Sequence, residues 1–558
     1  MTETQLEEVL RRAEQALDDK DATFIRQVFE SYLYVTDLVE DKKTTIARLR
    51  QLFFGKRTEK TKAVVGSTPP QESGSKDMAT TSAGIAEPST ADKTPGGAAG
   101  ASATASKGHG RNGADAYRGA ERIDVPHGTL QAGDPCPTCG QGTVYEKEPG
   151  VLVRITGQPP LSAKIYQLQK LRCHLCGAVF TASAPAEAGE QKYDARSGSM
   201  IGLLKYGSGL PFNRLEGLQG HLEIPLPAST QWDIVKAVAA NLRPAFTELI
   251  RQAAQGEVLH NDDTTVKILA LMGKRARQEP MADDEINQVE QDNAEQRTGL
   301  FTSGVVALRD GQRVALFFSG RRHAGENLAE VLKHRAQELP PPIQMCDALA
   351  RNLPGTLQTL VANCLAHARR QFVDVYDRFP EQCRHLLEAL AVVYRNDARA
   401  RERQSSPEAR LQFHQESSQP AMQQLHAWLT RQMDDKLVEP NSALGGAMRY
   451  MLRHWDKLTL FLRKAGAPLD NNVCERALKK AILHRKNALF YKTQNGARVG
   501  DLFMSLIYTC QLNQVNPFDY LTQLQWHSEK VAASPELWMP WNYHEVLAGD
   551  ISANEVMA

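Results

Sequence analysis

The sequence has no stretch of roughly eighteen consecutive apolar residues, about the least a membrane-crossing helix needs. It also lacks a secretory leader pattern, so a protein that is neither membrane-spanning nor secreted is expected. Excess charge is missing too. Lys and Arg number 66 against 65 Asp and Glu, for a formal net charge of +1. Overall charge therefore announces no polyanionic partner, and any such signal must be local. No GxxxxGK[ST] loop is present, nor a GxGxxG after a strand, which leaves ATP- or dinucleotide-driven chemistry without support. No GxSxG elbow marks a serine hydrolase. Aromatic residues are absent between Phe54 and Tyr117, where Gly, Ala, Ser, Thr and Pro dominate. Such a segment cannot bury enough apolar area to offset its ordering entropy and reads as a disordered linker over 63–119.

Cysteine is sparse and odd in number, with nine residues. Cys346, Cys364, Cys383, Cys474 and Cys510 are scattered through apolar or helical surroundings. The other four form two knuckles, Cys136-Pro-Thr-Cys139-Gly and Cys173-His-Leu-Cys176-Gly. This usage fits a reducing compartment and one metal site, not a disulfide scaffold. Each CxxC turn lets both thiolates face one tetrahedral ion, and the Gly that follows permits the tight turn. One structural Zn²⁺ is expected at Cys136, Cys139, Cys173 and Cys176, holding together a small ribbon over 120–190. His174 falls between the second pair but is not needed, since four thiolates fill the sphere.

Local charge is concentrated in two places, 42–62 and 476–498. In LDNNVCERALKKAILHRKNALFYKTQNGAR one acid, Glu475, is followed by seven Lys or Arg and no Asp or Glu up to Arg498. Such a helix suits a site where a metal ion and a nucleic-acid phosphate meet, provided other carboxylates converge on Glu475. Two upstream segments offer them. VLHNDDTTVKILAL, 258–271, reads as an extended run with Asp262 and Asp263 in its middle. IQMCDALARN, 343–352, reads as a short strand ending at Asp347. Acids are costly inside a sheet, but at a strand end they are placed to bind a divalent cation. Neighbours on a strand face opposite sides, so only one of Asp262 and Asp263 can join such a cluster.

Further strands are expected at 300–308 and 313–319, with a helix at 324–338 between them and the strand at 343–347. This is the ribonuclease H-like order, with acids on the first strand, just after the fourth, and on a late helix. Asp262, Asp347 and Glu475 stand in those places. Asp470, Asn471 and Asn472 precede the Glu475 helix and read as its cap. Arg476, Lys479, Lys480, Arg485 and Lys486 are candidate phosphate contacts.

With those blocks in hand, the chain resembles Asp-Asp-Glu transposases of the bacterial insertion-sequence family sixty-six. The matching blocks are RLRQLFFGKRTEK, the paired knuckles, HNDDT, RRHAGENL, PPIQMCDALARN, CLAHARRQF, the Glu475 segment and a closing NPFDYL. Each is weak alone, but their order over most of the chain is specific. Thr265 departs from the family, which often has Pro after DDT. The resemblance implies a DNA transposase using two Mg²⁺ ions at Asp262, Asp347 and Glu475, with Asp262 favoured over its neighbour. It also implies double-stranded DNA as partner, at least a dimer, element-encoded helper proteins, and a cytoplasmic, nucleoid-associated location. Arg48, Arg50, Lys56 and Arg57 then become candidate DNA contacts.

The expected fold is a multidomain α+β protein. N-terminal helices, 1–62, form a helical or coiled-coil DNA-binding module. The linker and zinc ribbon follow, then a helical linker domain at 191–255. A ribonuclease H-like catalytic core spans 256–529 and carries an all-α insertion at about 373–466. A tail at 530–558, with Trp538, Trp541 and Tyr543, packs on the body or on DNA.

Overall fold

The computed structural model describes residues 160–172, 179–273 and 299–549, with a few positions between 129 and 158. The N-terminal module, the linker, all four knuckle cysteines and the basic residues Arg48, Arg50, Lys56 and Arg57 lie outside the described residues. The chain divides into two units, one comprising 71–162 and the other 1–70 with 163–558. In the smaller unit, Pro135 and Thr143 form an isolated antiparallel bridge. In the larger, β1 (Lys170–Arg172) and β2 (Val179–Thr181) pair antiparallel on either side of the second knuckle.

A helical segment follows: α1 (Ala195–Gly202), α2 (Phe212–His221) and α3 (Ala228–Ala254). Next come β3 (Val258–Thr265), β4 (Phe301–Arg309), β5 (Gln312–Gly320), α4 (Ala324–Leu332), β6 (Ile343–Cys346) and β7 (Leu360–Asn363). The five strands form one sheet in the order β5-β4-β3-β6-β7. β3, β4 and β5 pair antiparallel, whereas β6 and β7 run parallel to β3. The first acid-bearing strand is thus central. The protein is mixed α/β. β4, β5 and β6 fall within a residue or two of expectation, β7 is a strand that the sequence reading did not contain, and the exception among the expected strands is 258–271. That run ends as a strand at Thr265, and Leu269–Leu271 form a 3-10 turn instead.

Helices α5 (Leu365–Val375), α6 (Pro380–Glu402), α7 (Pro407–Ser417), α8 (Gln419–Asp434), α9 (Ala443–Arg453) and α10 (Trp455–Leu458) lie between β7 and α11 (Asn472–Ala488). They are not a tethered module. Ile343, Met345 and Ala362 of the sheet share one buried cluster with Phe372, Leu386, Leu390, Leu425 and Met448 of these helices. Burying so much apolar surface against β6 and β7 makes the helical segment part of the core.

The opposite edge strand, β5, is covered by α12 (Gln494–Leu512). The N–H groups of Ala315, Phe317 and Ser319 donate to Thr509 Oγ1, Ser505 Oγ and Asp501 Oδ2 at 3.0, 3.0 and 2.7 Å. The N–H of Arg313 donates to Asn513 Oδ1 at 3.1 Å. The acceptors recur every four residues on the helix, about 6 Å of rise, and the donors every two on the strand, about 6.6 Å. The matched rise lets one helix face stand in for a sixth strand, and the sheet edge is satisfied without one. The C-terminal segment packs on the body. Trp538 and Tyr543 are fully buried, and the Tyr520 and Tyr543 hydroxyls donate to the Trp538 carbonyl and to Asp519, respectively.

Candidate active site

Alternation along β3 sends its polar side chains to two different places. His260 and Asp262 face α11, while Asn261 and Asp263 face the α4 side. His260 Nδ1 lies 3.0 Å from Asn471 Oδ1 at the start of α11. Opposite Asp262 on β4 is Gly304, above which Leu478 and Cys474 of α11 pack. A Cβ there would fall 3.0 Å from Leu478, so the missing side chain lets the helix lie close to the strand. Asp347 follows β6. The parallel register pairs His260 with Met345, and two further steps set Asp347 beside Asp262.

Asn471 docks α11. Its side-chain N–H donates to the Asn261 carbonyl at 3.1 Å, and its backbone N–H meets Cys364 Sγ at 3.2 Å. It occupies the helix N-cap position without accepting a capping bond. The expected cap is therefore only partly right: Asp470 accepts from the Asn472 N–H at 3.1 Å, but Asn471 spends its side chain on tertiary contacts. Asp347 is held by its own loop. Asn352 donates to Asp347 Oδ1, and the Leu349 N–H donates to the same oxygen at 3.1 Å. Asn352 is tied in turn to the sheet, its carbonyl accepting from Asn261 and Gln344 at 2.8 and 2.7 Å.

Asp262, Asp347 and Glu475 are thereby brought near enough for the charges of Asp347 and Glu475 to act on Asp262. Burial pushes the Asp262 carboxyl up to about 7, with the charges of Asp347, Asp263 and Glu475 adding to the rise and the Asp263 N–H opposing it. Glu475 Oε1 is buried without a hydrogen-bond partner. The basic side chains beside it are His367, with Nε2 at 3.7 Å from Oε1, and Arg370, at 4.0 Å from Oε2, both beyond hydrogen-bonding reach. A buried carboxylate oxygen with no partner, beside a carboxyl that burial and neighbouring acids push up, is the signature of a site that wants a cation. Glu475, His367 and Cys364 also present donor atoms within 4.8 Å of one another. The thiol is the poorest of these, since burial pushes Cys364 up to about 12 and it already receives the Asn471 N–H. Carboxylate oxygen suits a hard divalent cation, so the donor set fits that class.

Asp263 has a different assignment. Its side chain is only 2% exposed and meets His323 Nδ1 at 2.9 Å and the Arg351 guanidinium at 3.4 Å on the α4 side. The neighbour left open by strand alternation is thus a buried acid paired with Arg351 and His323. Arg351, Asn352 and Gln344 are residues that sequence reasoning did not assign. The PPIQMCDALARN block carried all three. Tyr450 from α9 is another: its phenol lies beside Asp347 and Ala348, and burial with the Asp347 charge pushes it up to about 12.

The basic residues of α11 separate by face. Arg476, Lys479 and Lys486 are exposed, Lys480 is half-buried over the Tyr508 ring, and no acid occurs from 476 to 500. Arg485 points the other way. Its guanidinium bonds the Thr265 carbonyl and hydroxyl and the Thr264 hydroxyl, fastening α11 to the end of β3. It does not join the exposed stripe.

The fold and site define an α+β protein with a central acid cluster bordered by a basic helix. Residues 192–499, more than half of the chain, match the profile of the family described as Transposase IS66 family, and the chain belongs to that family. It is similar to a protein of Sinorhizobium fredii (strain NBRC 101917 / NGR234) described as Uncharacterized protein y4hP. The two are 27% identical over 447 residues, covering 75% of this chain and 74% of that one. A second protein of that strain, Uncharacterized protein y4jD, is 34% identical over 191 residues, 33% of this chain and 36% of its own length. Among the described residues no helix is long and apolar enough to cross a membrane.

Proposed function

We propose that this protein is a DNA transposase that cleaves at the ends of an insertion element and joins them to target DNA. The observation that carries the reading is the convergence of Asp262, Asp347 and Glu475, from β3, the β6 end and α11, beside an exposed basic stripe. The strand order β5-β4-β3-β6-β7 with these acids supports a ribonuclease H-like catalytic core. Asp262, Asp347 and Glu475 would hold two Mg²⁺ ions, which supply Lewis-acid activation of the attacking oxygen and charge stabilisation at the leaving oxygen.

The remaining work falls to the chain itself. Asp262 releases its proton as the acidic site takes up positive charge. Asn352 and the Leu349 N–H hold Asp347, and Asn471 holds the helix that carries Glu475. Arg476, Lys479 and Lys486 take phosphates along α11, while Lys480 contributes from its margin. Arg48, Arg50, Lys56 and Arg57 contact DNA in the N-terminal module. One Zn²⁺ at Cys136, Cys139, Cys173 and Cys176 stabilises the ribbon. A dimer or larger assembly holds two DNA ends, with helper proteins from the same element as further partners.

The deciding experiment is a strand-transfer assay with full-length protein, Mg²⁺ and a precleaved terminal duplex. Joined product is expected. Cleavage without joining would indicate a nuclease of the same fold. Binding without either reaction would indicate a DNA-binding regulator derived from a transposase.

A further inference from the structure

Helix α11 ends in a strained turn. Leu489 closes it at φ 68° and ψ −44°, and the Phe490 N–H donates to the Ala488 carbonyl at 2.8 Å. A bond spanning two residues around a centre of positive φ and negative ψ is the rarer, strained hand of γ-turn. Glycine or Asn is the usual residue where a helix ends with positive φ. Here the position holds Leu.

The surroundings impose this conformation. The Leu489 N–H is held by the Arg485 carbonyl at 2.9 Å, and the Tyr491 N–H donates to the Lys267 carbonyl at 2.9 Å. The Tyr491 ring is buried and stacks on His484, with centroids 4.7 Å apart. Anchored on both sides, the turn drives its apolar side chains outward, leaving Leu489 62% and Phe490 44% exposed. Strain that a well-anchored fold maintains in order to display apolar groups points to a ligand.

The charge around the tip identifies the ligand class. Lys486 and Lys492 are exposed on either side of it. Two apolar side chains at the end of an acid-free cationic stripe match duplex DNA, whose phosphates take the cations and whose base steps accept apolar wedges.

We propose that Leu489 and Phe490 form a wedge that enters the base stack of bound DNA and unstacks one step. This rests on the reading of the chain as a transposase. The tip lies about 20 Å along α11 from Glu475. With the duplex laid along the stripe, it falls roughly six base steps from the phosphate at the acid cluster.

The test uses full-length protein and two duplexes of one arbitrary sequence. One is fully paired. The other has a short unpaired bubble beside a 2-aminopurine. Because the bubble has already lost its stacking, wild type should bind it about ten-fold more tightly and raise the 2-aminopurine fluorescence. Phe490→Ala and Leu489→Ser should lose both the preference and the signal while affinity for the paired duplex changes less than about two-fold. Lys479→Ala should instead weaken both duplexes alike. Leu489→Gly, which relaxes the turn, should raise the melting temperature and still lower the signal, so misfolding cannot mimic the result. Unchanged preference and fluorescence in Phe490→Ala would overturn the wedge. So would a loss of self-association in that variant, by sedimentation without DNA, with the DNA signal intact. Failure of wild type to bind either duplex would overturn the transposase reading as well.

Discussion

His260 Nδ1 and Asn471 Oδ1 meet at 3.0 Å in the buried space between the strand that carries Asp262 and the helix that carries Glu475. Burial pushes the His260 imidazole down to about 4, with Arg476 lowering it further and the Asn471 bond opposing. At neutral pH the ring is therefore neutral, and its Nδ1–H donates to the amide oxygen. Asn471 gives its other amide end to the Asn261 carbonyl, so one side chain sets the separation of two acids that are far apart in sequence.

Asn471→Ala should leave His260 and the Asn261 carbonyl without partners, at about 1–3 kcal/mol of stability. Cleavage should fall by at least ten-fold under conditions where the variant remains folded, and DNA affinity should hold, because the phosphate contacts lie further along α11. Denaturant melts, gel-shift titration and cleavage rates check the three parts. A folded variant with wild-type cleavage would remove Asn471 from the positioning of Glu475.

Asp262→Asn, Asp347→Asn and Glu475→Gln keep size and hydrogen-bonding capacity but remove the charges that would hold Mg²⁺. Each should abolish cleavage and joining while DNA binding persists or strengthens slightly, since like-charge repulsion is reduced. Asp263→Asn should differ in kind. It removes the charge that Arg351 and His323 meet, lowers stability by about 1–3 kcal/mol and spares part of the activity. Activity of all four at fixed salt and Mg²⁺, alongside thermal melts, separates the two roles. Full activity in Glu475→Gln would refute the triad.

Asp501 gives a pH signature away from the acid cluster. Burial pushes its carboxyl up to about 7, while two bonds from Ser319 and the Arg498 charge pull the other way. Between about pH 4 and 7 the folded state holds a proton that the unfolded chain has released, so this group's contribution to stability falls as pH rises through that window. Asp501→Asn still accepts from the Ser319 N–H and carries no charge. It should gain about 1–3 kcal/mol relative to wild type near pH 8 and nothing near pH 4, as read from denaturant midpoints. A variant that parallels wild type across the range would show that Asp501 does not titrate there.

Thr509→Ala removes the acceptor for the buried Ala315 N–H and the donor to the Ala315 carbonyl. It should cost about 1–3 kcal/mol. Hydrogen exchange should rise at Ala315 and Phe317 before it rises in β3. Uniform exchange across the sheet would mean that α12 is not what closes the β5 edge.

For the zinc proposal, elemental analysis of purified protein should find one Zn²⁺ per chain, and Cys173→Ser should release it. Zinc content unchanged in that variant would remove Cys173 from the site.

The primary sequence by itself determined the elements and the chemistry they carry. Apolar and β-branched runs set four of the five strands, with β7 left unread, and apolar spacing of three and four set the helices. The order of the acid-bearing blocks was enough to single out Asp347, Glu475 and the Asp262–Asp263 pair as candidates, because residue type, strand ends and basic neighbours are local properties, and the family resemblance favoured Asp262 within the pair. Strand alternation stated that Asp262 and Asp263 part company, but not which partners each would meet. Those were decided by tertiary structure. His323 and Arg351 come from segments 60 and 88 residues after Asp263, and the Asn471 contact to the Asn261 carbonyl spans 210. Arg485 looks like its basic neighbours in sequence, yet the buried face of α11 commits it to Thr264 and Thr265. The four-residue ladder on α12 reads as ordinary helix polarity until a strand edge lies beside it. Hydrogen bonds and ion pairs between distant segments leave no periodic trace in the chain, so only the packed fold could decide them.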